Sequence, residues 1–215
     1  MINLKVGNRK ADLPNEWSEL RLKDWIKIIT ILNKSNVLMP MDESLSDEDK
    51  KIEEAERNVR YFDACKEIFA YLTKLPSDIV GQCQEEEIVT VVSTMNNFLQ
   101  NTGENGKEVA FFEHKGTKYY YPTQNMRKST FEDFIETSQL EVLQQKKEAG
   151  RFEVVAEQMA ILCREEGEKF DLDKIEKKTR KFLDVTMDKV WNFIFFLRKQ
   201  TNTSMKSLQM FLQEK

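Results

Sequence analysis

Side chains capable of acid–base or nucleophilic chemistry are scarce in this sequence. Its 215 residues include one histidine, His114, and three cysteines, Cys65, Cys83 and Cys163. A catalytic triad would have to use His114, which falls at the edge of a turn in a predicted strand, where an exposed hairpin histidine is expected. An odd number of cysteines without a CxxC pair fits neither a disulfide framework nor a zinc knuckle, so buried, reduced thiols are expected.

Motifs that cradle phosphate or activate a serine are missing as well. Only Gly103 and Gly106 lie close together, and no GK[ST] follows them. The sequence has no G-x-S-x-G elbow, and its His and Cys residues are too scattered for a zinc site. With 37 acidic residues, paired carboxylates arise by chance. The sequence predicts no enzyme activity, no cofactor and no metal, and a carboxylate-only metal-dependent enzyme is the catalytic alternative that stays open.

The charge balance argues against a nucleic-acid partner. The chain has 33 Lys and Arg against 37 Asp and Glu, a formal net charge of −4 and a pI of about 5.4. General nucleic-acid binding draws on clustered cations that displace counterions. The most basic stretch, Lys174–Lys181, is flanked by acids and is interpreted as a solvated helix face rather than a phosphate contact.

We expect neither a targeting segment nor a membrane span. The first twenty residues lack the basic start and apolar run of a signal peptide. The longest apolar stretch near the end, residues 191–197, is far shorter than the roughly 20 residues that cross a bilayer. These features predict a protein of a reducing cytosol.

Hydrophobic periodicity predicts mostly helices and two short β-hairpins. The first hairpin turns at Gly7-Asn8, and the second spans Glu108–Pro122 with its turn at Lys115-Gly116. In the first helix, Leu22–Lys34, the expected apolar stripe is Leu22, Trp25, Ile26, Ile29 and Leu32. Further helices are predicted from Ser46 to Pro76, over Glu85–Gln100, from Phe131 to Lys147, over Arg151–Glu166, from a cap at Asp171 or Asp173 to Val185, from Thr186 to about Gln200, and over Met205–Leu212.

The predicted fold class is therefore mainly α with a minor β component, a helical bundle with two short β-hairpins. The loop that begins at Asn101 divides an N-terminal hairpin and helices, residues 1–100, from a second hairpin and C-terminal bundle, residues 107–215. One continuous domain is the alternative, because few linker residues separate the two halves.

Apolar helix surface near the C-terminus offers a candidate partner-binding site. Methionine is adaptable and is over-used where one surface must accept varied apolar helices, although ordinary core packing explains each residue equally well. A terminal helix rich in Met and Phe can dock onto another chain. The candidate residues are Trp191, Phe195, Met205, Met210 and Phe211.

Two segments resemble a family of bacteriophage proteins. The hairpin is followed by Leu13-Pro14-Asn15-Glu16-Trp17-Ser18-Glu19-Leu20-Arg21-Leu22, and Val185–Gln200 carries Trp191 and an aromatic Phe193–Leu197 cluster. This pattern resembles tail assembly chaperones and related tail or baseplate assembly factors of tailed bacteriophages, which begin with a hairpin, an L-P-x-x-W-x-x-L-T-L segment and a helix. The chain departs from the pattern at Arg21, where Thr is common, and in its acidic segment 42–56.

The resemblance implies a non-enzymatic phage morphogenesis protein made in the host bacterial cytoplasm. It would hold apolar helices of a tail client, such as a tape measure or hub protein, until the tail polymerises. No functional residue is carried over, because the shared pattern looks structural. Homo-oligomerisation stays open, and neither nucleic acid nor membrane is expected as a partner.

Two rival functions remain at this point. The first is a structural virion component of the tail, baseplate or capsid interior, which would be present in purified particles. The second is a metal-dependent enzyme, which would need carboxylates from distant segments to converge in one pocket.

Overall fold

The computed structural model of the chain describes residues 1–6, 8–101, 109–122, 151–169 and 171–197. The chain forms two compact units, an N-terminal unit, Met1–Asn101, and a C-terminal unit, Thr102–Lys215. The described residues are mainly helical, with two antiparallel two-stranded sheets, β1-β2 and β3-β4. The predicted fold class, mainly α with two short hairpins, is confirmed.

The N-terminal unit begins with the predicted hairpin. Strands β1 (Ile2–Val6) and β2 (Arg9–Leu13) pair antiparallel, with Val6 opposite Arg9 and Ile2 opposite Leu13. Because strand side chains alternate between two faces, Ala11 and Leu13 of β2 enter the core while Lys10 and Asp12 face solvent. Pro14 follows β2 directly, as expected of a residue that cannot donate to a ladder.

Helix α1 (Leu22–Lys34) has the predicted bounds, and three of the five residues of the predicted stripe, Leu22, Trp25 and Leu32, are buried. The predicted stripe included Ile26 and Ile29, which are only partly buried, whereas Ile28 and Ile31 are fully buried. Trp25 anchors the buried face, with Trp17 edge-on at 5.0 Å between ring centroids. Trp17 also contacts Phe98 at 4.6 Å between ring centroids, so Trp17, Trp25 and Phe98 form one aromatic cluster.

Three helices complete the N-terminal unit: α2 (Asp47–Thr73), α3 (Ser77–Val80) and α4 (Glu85–Gln100). The Ser46 hydroxyl accepts a hydrogen bond from the Asp49 amide, which caps α2 as predicted. Lys74, in the left-handed region with a φ of 58°, ends α2 shortly before Pro76. At the start of α4, the Glu87 carboxylate accepts from the Gln84 amide at 2.5 Å in a capping box.

The C-terminal unit contains the second predicted hairpin. Strands β3 (Phe111–His114) and β4 (Thr117–Tyr120) are joined by Lys115-Gly116, with φ angles of 50° and 76° that suit a tight two-residue turn. The inward face carries Phe112 and Tyr119, which pack against Phe182. Tyr121 is also buried, whereas Tyr120 is only partly covered, because consecutive strand residues point to opposite faces.

Helices α5 (Arg151–Leu162), α6 (Leu172–Phe182) and α7 (residues 187–197) follow in the described part of this unit. The prediction that α5 continues to Glu166 was wrong. The chain becomes extended after Leu162 because Arg164 pairs antiparallel with Tyr120, through N–O distances of 2.8 and 3.2 Å. The pairing with β4 therefore ends α5 at Leu162, before the predicted end at Glu166. Asp171 caps α6, as expected.

Two predicted helices, residues 131–147 and Met205–Leu212, lie outside the described residues. Within the described ranges, no helix combines the length and apolar character that crossing a bilayer requires.

A buried carboxylate ties α1 to α2. Asp24 accepts two hydrogen bonds from the Arg21 guanidinium, at 2.6 and 3.1 Å, and a third from the Tyr71 hydroxyl at 3.0 Å. Asp24 is buried, so these bonds replace the water that its charge lost on folding. Burial and the hydrogen bond to Asp24 raise the pKa of Tyr71.

We predict that Asp24→Ala lowers the free energy of unfolding by about 2 kcal/mol, because it removes three charge-assisted hydrogen bonds at a buried position. Tyr71→Phe, which removes one of them, should cost about 1 kcal/mol. Urea denaturation measures both, with Asp12→Ala on the exposed side of β2 as the control. Equal stability of the Asp24 and Asp12 variants would contradict a structural role for this cluster.

Candidate partner-binding groove

Two of the five predicted partner-binding residues lie in the described part of the chain, and they differ in burial. Trp191 is only 3% exposed and lies edge-on to Phe152, with 5.7 Å between ring centroids. Phe195 keeps 37% of its surface exposed on the same helix, α7. Met205, Met210 and Phe211 lie outside the described residues. Trp191 is thus part of the packing of the C-terminal unit, and Phe195 is the one predicted residue seen at a surface in the described ranges.

His114 is buried, so the expectation of an exposed hairpin histidine was wrong. The ring lies on the inward face of β3, and its Nε2 is 3.2 Å from the carbonyl oxygen of Lys181. Burial, followed by the charge of Lys115, lowers the pKa of His114. A neutral ring that donates to a backbone carbonyl ties the hairpin to α6, which is a structural role.

Lysines around the second hairpin are also engaged in structural contacts. Lys189 Nζ donates to the Glu113 carbonyl oxygen at 2.9 Å, and Lys115 pairs with Asp184 at 2.5 Å. In the basic stretch of α6, Lys178 pairs with Glu168 at 2.8 Å. Arg180 pairs with Glu176 one helical turn away. The ion pairs of Lys178 and Arg180 neutralise part of the positive charge of the stretch Lys174–Lys181.

Potential metal ligands and thiols are dispersed through the described part of the chain. Among those residues, no group of three or more His, Cys, Asp or Glu side chains could hold a metal ion. All three cysteines are free; Cys65 and Cys163 are buried, as expected, and Cys83 is half-buried. Burial raises the pKa of Cys65 to about 11 and raises that of Cys163 further.

The N-terminal unit contains an apolar cavity of about 340 Å³ between α2, α3 and α4. This volume lies at the lower end of the range of about 300–1,000 Å³ typical of ligand pockets. Apolar side chains from all three helices form most of its lining. They are Phe62, Phe69, Val80, Ile88 and Val91. We call this cavity and its open mouth the α2–α4 groove.

Large apolar side chains remain exposed at the mouth of the groove. Phe62 of α2 is 50% exposed and Ile88 of α4 is 43% exposed. One turn before Phe62, Val59 is 62% exposed, and Ile52 is exposed two turns earlier still. Because residues seven and ten apart share one helix face, Ile52, Val59 and Phe62 form a continuous apolar row along α2.

Three charged residues border the groove: Asp63 and Lys66 of α2, and Glu87 of α4. Lys66 reaches across to the end of α3, where a Cβ atom built on Gly81 would lie 3.2 Å from Lys66 Nζ. Lys66 is an exposed residue, and its ammonium group approaches the place where a residue larger than glycine would carry its Cβ atom. Gly81 permits this close approach.

Two thiols also line the groove. Cys83 lies in the turn before α4, and Cys65 lies on α2. Burial, with the negative charge of Glu87 as a second cause, raises the pKa of Cys83. Cys83 is therefore protonated at neutral pH but is the one cysteine of the three with partial access to solvent.

The sequence predicts helix α2 but not this groove. In the structure the second half of the helix is packed, with Ala64, Cys65, Ile68 and Phe69 buried. Ile52, Val59 and Phe62, which come earlier in the same helix, remain exposed. The helical spacing of these apolar residues is visible in the sequence, but it does not tell which part of the stripe is covered.

Comparison with known proteins gives no match: no protein-family model, no curated protein and no solved structure aligns with this chain.

We predict that Cys83 alone reacts with a maleimide in the folded protein, and that the reaction is faster in the Glu87→Gln variant. Removal of the neighbouring negative charge lowers the pKa of Cys83, which raises the thiolate fraction at a fixed pH below that pKa. Mass spectrometry of tryptic peptides at pH 8 measures the rates. Glu86→Gln, the same change at an adjacent residue, is the control. Labelling of Cys65 at the rate of Cys83 would contradict the described burial.

Proposed function

We propose that this chain is a non-catalytic binding protein that holds an apolar helix of another polypeptide in the α2–α4 groove. The observation that carries the proposal is the exposure of Phe62 and Ile88 on either side of an apolar cavity. Exposed apolar residues that form a contiguous surface around a cavity are typical of binding sites rather than of ordinary surface.

The energetic argument rests on desolvation. Full burial of a Phe or Ile side chain contributes about 1.5–3 kcal/mol, so covering the exposed half of Phe62 contributes about 1 kcal/mol. Val59, Ile52 and Ile88 would add similar terms. The four terms sum to about 4 kcal/mol, which is comparable to the lower end of the cost of association. Burial of the partner's own apolar side chains in the cavity has to supply the remaining free energy of the complex.

The shape of the apolar surface favours a helix as the occupant. The row from Ile52 to Phe62 extends for about 15 Å along α2 at 1.5 Å per residue, well beyond the cavity itself. A compact small molecule would fill the cavity and leave this row uncovered. An amphipathic helix lying along α2 would cover the row and insert one or two side chains into the cavity.

The resemblance of the N-terminal hairpin and of residues 185–200 to phage tail assembly factors supplies the biological setting of the proposal. In that setting the chain works in the host bacterial cytoplasm as a tail assembly chaperone. Its client is an apolar helix of a tape measure or hub-like protein. Such a helix would aggregate if left exposed before assembly, and the groove would keep its apolar face covered.

Binding of a model helix provides a direct test. The probe is a fluorescent amphipathic peptide of about 20 residues, long enough to form a helix, with leucines on one face and lysines on the other. We predict that Phe62→Asp weakens its binding at least about tenfold, because a charge replaces a central apolar contact. Fluorescence anisotropy measures the dissociation constant.

Phe111→Asp is the matched control, since Phe111 is an exposed phenylalanine of the C-terminal unit. It should bind the peptide as the unmodified chain does. Equal affinity of all three proteins would refute the groove as the binding site. Mass spectrometry of purified virions then addresses the role: a chaperone is absent from particles, whereas a structural component appears at a fixed copy number.

A further inference from the structure

We infer that the helix bound by the α2–α4 groove carries lysine or arginine residues along both edges of its apolar face. This inference rests on the proposed function and adds the chemical class of the partner. It follows from the distribution of charge around the groove rather than from the apolar surface.

Negative charge is concentrated on the helices that form the groove. Residues 47–100, which include α2, α3 and α4, contain 12 acidic and 6 basic side chains. Residues 1–46 of the same unit contain 6 acidic and 7 basic side chains and are close to neutral. The potential at the groove is therefore negative, and a cationic partner is both attracted and steered toward it.

Two of the three charged residues that line the groove are also acidic. Asp63 borders the groove from α2 and Glu87 borders it from α4. Within residues 1–101 as described, Asp63 is exposed and makes no ion pair. Lys66, the one cation among the residues that line the groove, is exposed on α2 three residues after Asp63. The groove lining thus carries two carboxylates and one ammonium group, with one carboxylate on α2 and the other on α4.

Lysine and arginine side chains suit this arrangement for a second reason. Their aliphatic stems can lie over Phe62 and Ile88 at the mouth while their charged ends reach the carboxylates and solvent. A helix with an apolar ridge and basic edges would therefore bury the exposed apolar row without leaving the Asp63 carboxylate desolvated and unpaired. An acidic helix would place like charges together at both edges.

The same charge excess disfavours a second copy of this chain as the occupant. Two groove faces brought together would oppose the acidic surfaces of α2 and α4 of each copy. The partner is accordingly a different polypeptide with a basic amphipathic helix.

Two peptides that differ only in edge charge test the inference with the full-length protein. Both carry the same leucine face; one has lysine and the other glutamate at the flanking positions. We expect the lysine peptide to bind at least about fivefold more tightly at low ionic strength. The difference should shrink as salt screens the exposed charges.

Charge variants of the protein show which residues cause its preference for the lysine peptide. Asp63→Lys should reduce the preference for the lysine peptide by about threefold or more, and Asp63→Asn by less. Glu86→Lys makes the same charge change on a residue of α4 that does not line the groove, and should alter the preference much less. Circular dichroism and the thermal midpoint confirm that each variant is folded.

The outcomes separate this inference from the proposed function. Equal, salt-independent binding of the two peptides that still depends on Phe62 would overturn the basic-edge inference and leave the proposed function standing. Binding of neither peptide, or binding indifferent to Phe62→Asp, would overturn both. A concentration-dependent dimer of the protein alone that Phe62→Asp dissociates would identify a second copy as the occupant and overturn the inference.

Discussion

The exposed apolar row of α2 is the constraint on which the account depends. The second half of this 27-residue helix buries Ala64, Cys65, Ile68 and Phe69 in the N-terminal unit. Earlier in the helix, Ile52, Val59 and Phe62 each keep half or more of their surface exposed. Since exposed apolar area is costly in water, a helix that retains such a row beside a cavity is suited to bind another apolar surface.

Helix α2 is held in place by caps at its two ends and by hydrogen bonds to neighbouring helices. The Ser46 cap begins it, the left-handed Lys74 ends it, and Asp24 holds Tyr71 near its C-terminal end. Tyr61 of α2 also donates to Asn96 of α4 at 2.6 Å, which connects the two walls of the groove. These contacts fix the position of the exposed row, so the proposed partner would meet a groove that is already formed.

Much of the fold could be predicted from local sequence because its signals are local. The hairpin turns, the Ser46 and Asp171 caps and the bounds of α1 and α4 depend on residues a few positions apart. The errors involved distant partners: Arg164 leaves the helix to pair with Tyr120, and His114 is buried because α6 packs over β3. The groove was missed for the same reason, since only tertiary packing decides which part of the apolar stripe of α2 stays exposed.

Methyl NMR of the protein titrated with the lysine-edged helix tests the central claim most directly. The account predicts shifts for the methyl groups of Ile52, Val59, Ile88 and Val91, which line or extend the groove. The buried methyl groups of Ile28 and Ile31 in the same unit should be unaffected. Shifts confined instead to Val190 and Ile194 of α7, beside Trp191 and Phe195, would contradict the account and return the binding site to the C-terminal unit.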